Sequence, residues 1–224
     1  MDFIATWFLI FIIYSFAGWC MEVLISLVLR KKLINRGFLV GPICPIYGVG
    51  ALLLSAVLDA NEPPLVIFCV AFVGSAVLEY LASFVMERLF RVRWWDYTER
   101  PFNLNGRICL ESILSFGIIG VLMLKLITPA LIGLFQSLPP TILILSASIV
   151  FFTVLCDIAL SLWLILNVRI TVGTVERDAT DEISHRVQEI LMDKGKLNRR
   201  LVKAFPNQKP TKKSPSHRKT PKNH

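Results

Sequence analysis

Charge is scarce in this sequence. Charged residues make up 18% of it, against about 25% in ordinary soluble domains, while hydrophobic residues reach 54%. Histidine is nearly absent: His185, His217 and His224 all lie in the C-terminal region, so no His-based metal site is expected among the apolar segments. The five cysteines, Cys20, Cys44, Cys69, Cys109 and Cys156, form no CxxC pair and read as small buried hydrophobes. There is no GxxxxGK[ST] loop, GxSxG elbow or HExxH helix, which excludes the common nucleotide-hydrolysis and hydrolase chemistries. No metal and no cofactor is expected. The start, Met1-Asp2-Phe3, lacks a basic n-region, and the apolar block behind it is too long for a signal peptide's h-region. It reads as a retained helix.

What the sequence has instead is long apolar blocks, and its mean hydropathy is +0.62. About 20 apolar residues cross a bilayer core of about 30 Å. Five candidate spans are expected, near 3–29, 38–58, 65–87, 108–126 and 141–168, with ends at charges, Pro or Gly. Thr128–Leu138 is apolar but short and contains Pro129; it is expected as an interfacial or re-entrant helix rather than a sixth span. Arg30, Lys31, Lys32 and Arg36 follow the first span, and Arg88, Arg91, Arg93, Arg100 and Arg107 follow the third. All bases but Lys125 then fall on one side if the N-terminus is outside and the C-terminus inside. The fold class expected is all-α, a polytopic membrane bundle of about five helices in the cell membrane.

Residues 1–170 form the expected transmembrane domain. From Thr174 the apolar spacing fits a cytoplasmic amphipathic helix, over 171–205, with Thr174 as its N-cap. It reads as a helix lying on the membrane, or as a docking surface for a partner. Residues 206–224 hold four prolines, six bases and no acids; such a tail cannot bury enough apolar area to order itself. Its charge suits anionic lipid headgroups better than nucleic acid.

Acids inside apolar spans are costly and mark function. Glu22, Glu79 and Glu111 fall in the inner half of their spans, and Asp157 near the middle of the fifth. Ser15, Gly18, Trp19 and Glu22 share one helix face, as do Glu79, Tyr80, Ser83 and Glu87. These stripes line a common cavity, or else form buried pairs with Arg36 and Arg107 that serve assembly alone. Residues 37–48 carry Gly37, Gly41, Pro42, Pro45 and Gly48, which suits a broken helix lining a ligand site, or a plain helix start with Pro in its first turn. The loop 91–107 packs Trp95, Asp96, Asn103, Asn105 and Arg107 among aromatics. It suits an anionic headgroup or phosphate, or an ordinary interfacial belt.

The runs SFAGWCMEV (15–23), NRGFLVGPICPIYGVGA (35–51), LEYLASFVMERLF (78–90) and WWDYTERPFNLNGRICLE (94–111) resemble the family described as Putative ABC-transporter type IV. The likeness covers residues 8–125. It implies a transport permease and no substrate; if transport is ATP-driven, a separate subunit must supply the ATPase, since this chain has no GxxxxGK[ST] loop.

The function expected is therefore a membrane permease or ligand-binding transport subunit with a cytoplasm-facing polar cavity. Glu22 and Glu79 would carry its charge, with Arg36 and Arg107 as counter-charges. Tyr80, Glu87, Trp95, Asp96, Asn103 and Asn105 complete the candidate site. The other readings are an intramembrane enzyme acting on a lipid or envelope precursor, less expected than a non-enzymatic role, and a non-transporting membrane scaffold or regulator.

Overall fold

In the computed structural model, the backbone is described for residues 2–30, 39–90 and 95–175, and the side chains for 2–28, 39–89 and 95–163. Arg36, most of the expected amphipathic helix and the basic tail lie outside these residues. The chain is an all-α bundle: α1 (Asp2–Arg30), α2 (Pro45–Val57), α3 (Pro64–Phe90), α4 (Leu110–Leu122), α5 (Thr128–Gln136) and α6 (Pro140–Val175). A two-stranded hairpin, β1 (Asn103–Leu104) and β2 (Ile108–Cys109), precedes α4.

Four stretches are long and apolar enough to cross a membrane: Asp2–Val28, Pro64–Leu89, Leu110–Gln136 and Pro140–Trp163. Their surfaces carry aliphatic and aromatic side chains all along, among them Val28, Val73, Ile118, Leu145 and Phe152, each more than half exposed. A soluble monomer rarely shows so much apolar surface; here it is the face offered to lipid. The buried side chains form two clusters. One joins α1 (Ala5, Ile10, Tyr14) to α2 (Ala51), α5 (Phe135) and α6 (Leu143, Ala147). The other joins Leu54 of α2 to Ile67 and Ala71 of α3 and to Leu124.

Three expectations change. The second helix starts at Pro45, not near Phe38. Gly41, Pro42 and Pro45 disfavour a helix there, and residues 39–44 run without regular structure. At 13 residues, α2 is about 20 Å long, about two thirds of a bilayer core. Thr128–Leu138 is not a separate interfacial piece. A π turn over Met123–Ile127 joins α4 to α5, with the Thr128 amide on the Met123 carbonyl. Pro129 cannot bond the Lys125 carbonyl four residues earlier, and the widened turn accommodates this without ending the helix. Finally, α6 stays helical through Val175, past the expected end at 168, so Thr174 starts no new helix.

Candidate functional site

The non-helical segment 39–44 sits between α1 and α6, and its amides are answered there. The Gly41 amide donates to both carboxylate oxygens of Asp157, at 2.9 and 3.0 Å. The Val40 amide donates to the Ser161 hydroxyl at 2.9 Å, one turn along α6. The Cys44 amide donates to the Ser15 carbonyl of α1 at 2.9 Å. Non-helical backbone survives at membrane depth only when its polar groups are satisfied, and these bonds satisfy the Val40, Gly41 and Cys44 amides. Gly41 is needed for the fit, since a Cβ there would lie 2.7 Å from Asp157 Oδ2.

Behind that segment, α2 lies against the polar stripe of α1. Tyr47 packs where a Cβ on Gly18 would stand, and Gly48 leaves room for Ser15 and Phe11. This seats the Tyr47 hydroxyl on Glu22, to which it donates at 2.8 Å.

The stripe on α3 meets the hairpin. Asn105 and Gly106 both adopt positive φ, 54° and 67°, and the Arg107 amide returns to the Leu104 carbonyl at 3.0 Å. Asn105 and Gly106 are the central residues of this tight turn, which lies inside a three-residue hairpin loop, 105–107, between the paired Leu104 and Ile108. Asn103 Oδ1 accepts from the Gly106 amide at 3.0 Å, and its amide nitrogen donates to the Arg100 carbonyl at 2.7 Å. Asp96 accepts from the Thr98 amide at 3.0 Å and from the Thr98 hydroxyl. Trp95 Nε1 donates to the Arg107 carbonyl at 2.9 Å. Residues 95–107 thus hold a hydrogen-bonded structure of their own.

It folds back along α3. Asn105 donates to the Tyr80 hydroxyl at 3.2 Å. Arg107 pairs with Glu87 at 2.7 Å, the two side chains 11% and 14% exposed. The same guanidinium donates to Ser83 at 3.2 Å and lies over the Tyr80 and Phe84 rings at 5.6 and 5.5 Å. Arg107 therefore counter-charges Glu87, not Glu22 or Glu79 as expected, and its fork is spent inside the protein rather than turned to a phosphate. Deeper still, about 16 Å from the end of α3, lies Glu79, 6% exposed. Its carboxylate accepts from Tyr97 at 3.1 Å and from Ser112 of α4 at 3.0 Å. No base pairs with it among the described residues. Burial first, and then the Glu79 and Glu22 carboxylates, push the Tyr97 phenol above its ordinary range, so it stays protonated and donates.

Each of the two acids is thus met by a phenol, Glu22 of α1 by Tyr47 and Glu79 of α3 by Tyr97. Tyr80, Glu87, Asn105 and Arg107 gather beside them against α3; Asp96 is exposed and stabilises its own loop. Reading the sequence for acids and stripes missed Tyr47, Tyr97 and Ser112, the hydroxyls that hold the carboxylates. It also missed Asp157 and Ser161 as anchors of the broken segment. Among the described residues, no group of three His, Cys, Asp or Glu side chains comes together to ligate a metal.

These polar contacts join four stretches that the first sequence likeness covered, and the comparison with known families extends it. The family model described as Putative ABC-transporter type IV matches residues 9–162. The chain belongs to that family. The match runs past the expected limit of 125 and takes in α5 and the part of α6 that carries Asp157 and Ser161. The protein is therefore a multi-pass membrane protein of a transport-related family. No curated protein and no solved structure matches the chain.

Proposed function

We propose that this protein is a membrane permease or ligand-binding transport subunit of the cell membrane. It lies N-terminus out and C-terminus in, and its polar site opens towards the cytoplasm. Glu22 and Glu79 are the charged groups of that site. Tyr47, Tyr97 and Ser112 hold them, and the segment 39–44 is one wall. The ABC-transporter family supports ATP-driven transport, and since the chain has no nucleotide-binding loop, a separate subunit supplies the ATPase. Beyond the described residues, the basic tail meets anionic headgroups.

One observation carries this reading. Glu79 is buried from lipid and water, and its described partners are neutral hydroxyls. An acid retained only for assembly is served best by a base, as Glu87 is by Arg107. An acid held by neutral donors keeps its negative charge, or its proton, for something else.

The test is Glu79→Gln, which preserves size and one acceptor oxygen, examined beside Glu22→Gln. Both variants should insert, accumulate and retain a co-purified ATPase, while ligand-stimulated ATP hydrolysis disappears. Loss of accumulation would instead make the acids assembly elements. Lipid turnover by the purified chain without an ATPase would replace the permease with an intramembrane enzyme. Activity that vanishes on deleting residues 176–224, yet survives both Gln substitutions, would leave a scaffold or regulator.

A further inference from the structure

The two acid-bearing helix pairs share a pattern in the sequence. AGWCMEVL at 17–24 aligns with ASFVMERL at 82–89, and LVGPIC at 39–44 aligns with LNGRIC at 104–109. Both alignments hold at one constant offset of 65 residues, with no gap across the 14 residues between the segments. Eight of the 14 aligned positions are identical, including Met21/Met86, Glu22/Glu87, Gly41/Gly106 and Cys44/Cys109.

The structure keeps the same offset. Cys44 precedes α2 and Cys109 precedes α4, and both helices are 13 residues long, Pro45–Val57 and Leu110–Leu122. Each starts against its preceding long helix at the same level. The Cys44 amide meets Ser15, whose counterpart is Tyr80, and Ser112 meets Glu79, the neighbour of Tyr80. Where α2 ends and the chain turns into α3, the second copy enters the π turn at Met123 and stays helical.

The contacts between α2 and α4 decide how the copies are related. The rings of Tyr47 and Phe116 lie 5.6 Å apart. Leu54 comes to 3.2 Å from where a Cβ on Gly120 would stand. Beyond the end of α2, Lys125 donates to the Ala60 carbonyl at 3.0 Å. These pairs climb both chains together, so α2 and α4 run parallel, as inverted copies would not. The partners are also 65 to 69 residues apart, so each residue faces its own counterpart or a near neighbour of it. A two-fold axis between two like helices produces that register.

We infer that α1–α2 and α3–α4 are two copies of one unit, inserted in the membrane in the same direction about a pseudo-two-fold axis along its normal, with the ligand pathway on that axis between the two cysteine-capped segments. Transport proteins built from parallel repeats bind at the repeat interface. Glu22 and Tyr47 from one copy, and Glu79 and Tyr97 from the other, stand there. The pathway part rests on the permease reading; the repeat itself does not. The copies diverge at the site: Pro42 stands where the second copy has Arg107, and Tyr14 where it has Glu79. Tyr14 is tied instead to Thr128, at 2.7 Å.

Accessibility of paired single cysteines in sealed vesicles tests this. The pairs are Ile43→Cys and Ile108→Cys, Val40→Cys and Asn105→Cys, Val49→Cys and Leu114→Cys, and Leu53→Cys and Ile118→Cys. Each is placed in the full chain with the other cysteines replaced by serine and treated with an impermeant maleimide from either face. The members of each pair should react from the same face, with labelling lost at Val49→Cys and at Leu114→Cys alike. Paired positions that react from opposite faces would overturn the repeat, and so would labelling lost more than one helical turn apart in the two copies. Four pairs keep the comparison standing if one variant fails to accumulate. Matched profiles beside a Glu79→Gln protein that still transports would sink the acid site and leave the repeat. Mismatched profiles beside an inactive Glu79→Gln protein would do the reverse.

Discussion

The contact of α1 with α2 and the contact of α3 with the hairpin and α4 each seat an acid deep in an apolar helix, by different physical means. The first uses absence. Gly18 and Gly48 remove side chains so that Tyr47 and the α2 backbone approach α1 closely, and Glu22 is reached by a phenol. The second uses charge and a built loop. Arg107 crosses to Glu87, and the hairpin so anchored brings Tyr97 to Glu79. Close packing is rigid and intolerant of volume, whereas an ion pair tolerates volume but not the loss of a partner.

That contrast can be broken by substitution. Arg107→Ala should cost most, about 3–5 kcal/mol, because it leaves the Glu87 carboxylate buried without its cation. A detergent thermal-unfolding curve that does not move would mean the pair holds nothing. Gly48→Ala should come next, at about 1–3 kcal/mol for overpacking against Ser15 and Phe11. Gly74→Ala is its control: nothing lies within 4 Å of that position, and the change should be neutral or stabilise by up to about 1 kcal/mol. If the two alanines behave alike, close packing is not what the glycines of α1 and α2 supply. Asp157→Ala strands the Gly41 amide and should lose about 1–3 kcal/mol, with Asp157→Asn milder because it keeps one acceptor. Faster maleimide reaction at Cys44, without a change at Cys109, would locate that damage in the first contact. Arg100→Ala should do least. Its pair with Glu111 is 51% and 70% exposed, and such pairs contribute about 0–1 kcal/mol. A shift as large as that of Arg107→Ala would show that exposure does not separate the two arginines.

Much of the fold was legible in the residues. Apolar blocks of span length mark α1, α3 and α6, because hydrocarbon tolerates little else at that depth. The glycines and prolines of 37–48 flagged the non-helical segment, and the polar stripes picked out Glu22 and Glu79. The pairing of each acid was not legible. Arg107 had Glu79 and Glu87 on the same stripe within reach of a flexible loop, and only the Asn105-Gly106 turn decides that its guanidinium stops at Glu87. Asn-Gly is a hairpin signal that could have been read. Asp157 gave no such signal, since its partner is a backbone amide more than a hundred residues away.

By itself, then, the sequence determined that this is a bundle of membrane-crossing helices, that 37–48 resists a regular helix, and which acids lie within the apolar spans. It also carries the 65-residue offset between the two halves. Those properties are local or periodic, and hydrophobicity and backbone stereochemistry suffice to set them. Only the tertiary structure decided which hydroxyl meets which carboxylate, that Pro129 sits in a continuous helix, and that α2 and α4 run parallel with counterparts face to face. Such choices turn on distances of a few ångströms between residues far apart in the chain, and those distances exist only once the helices have packed.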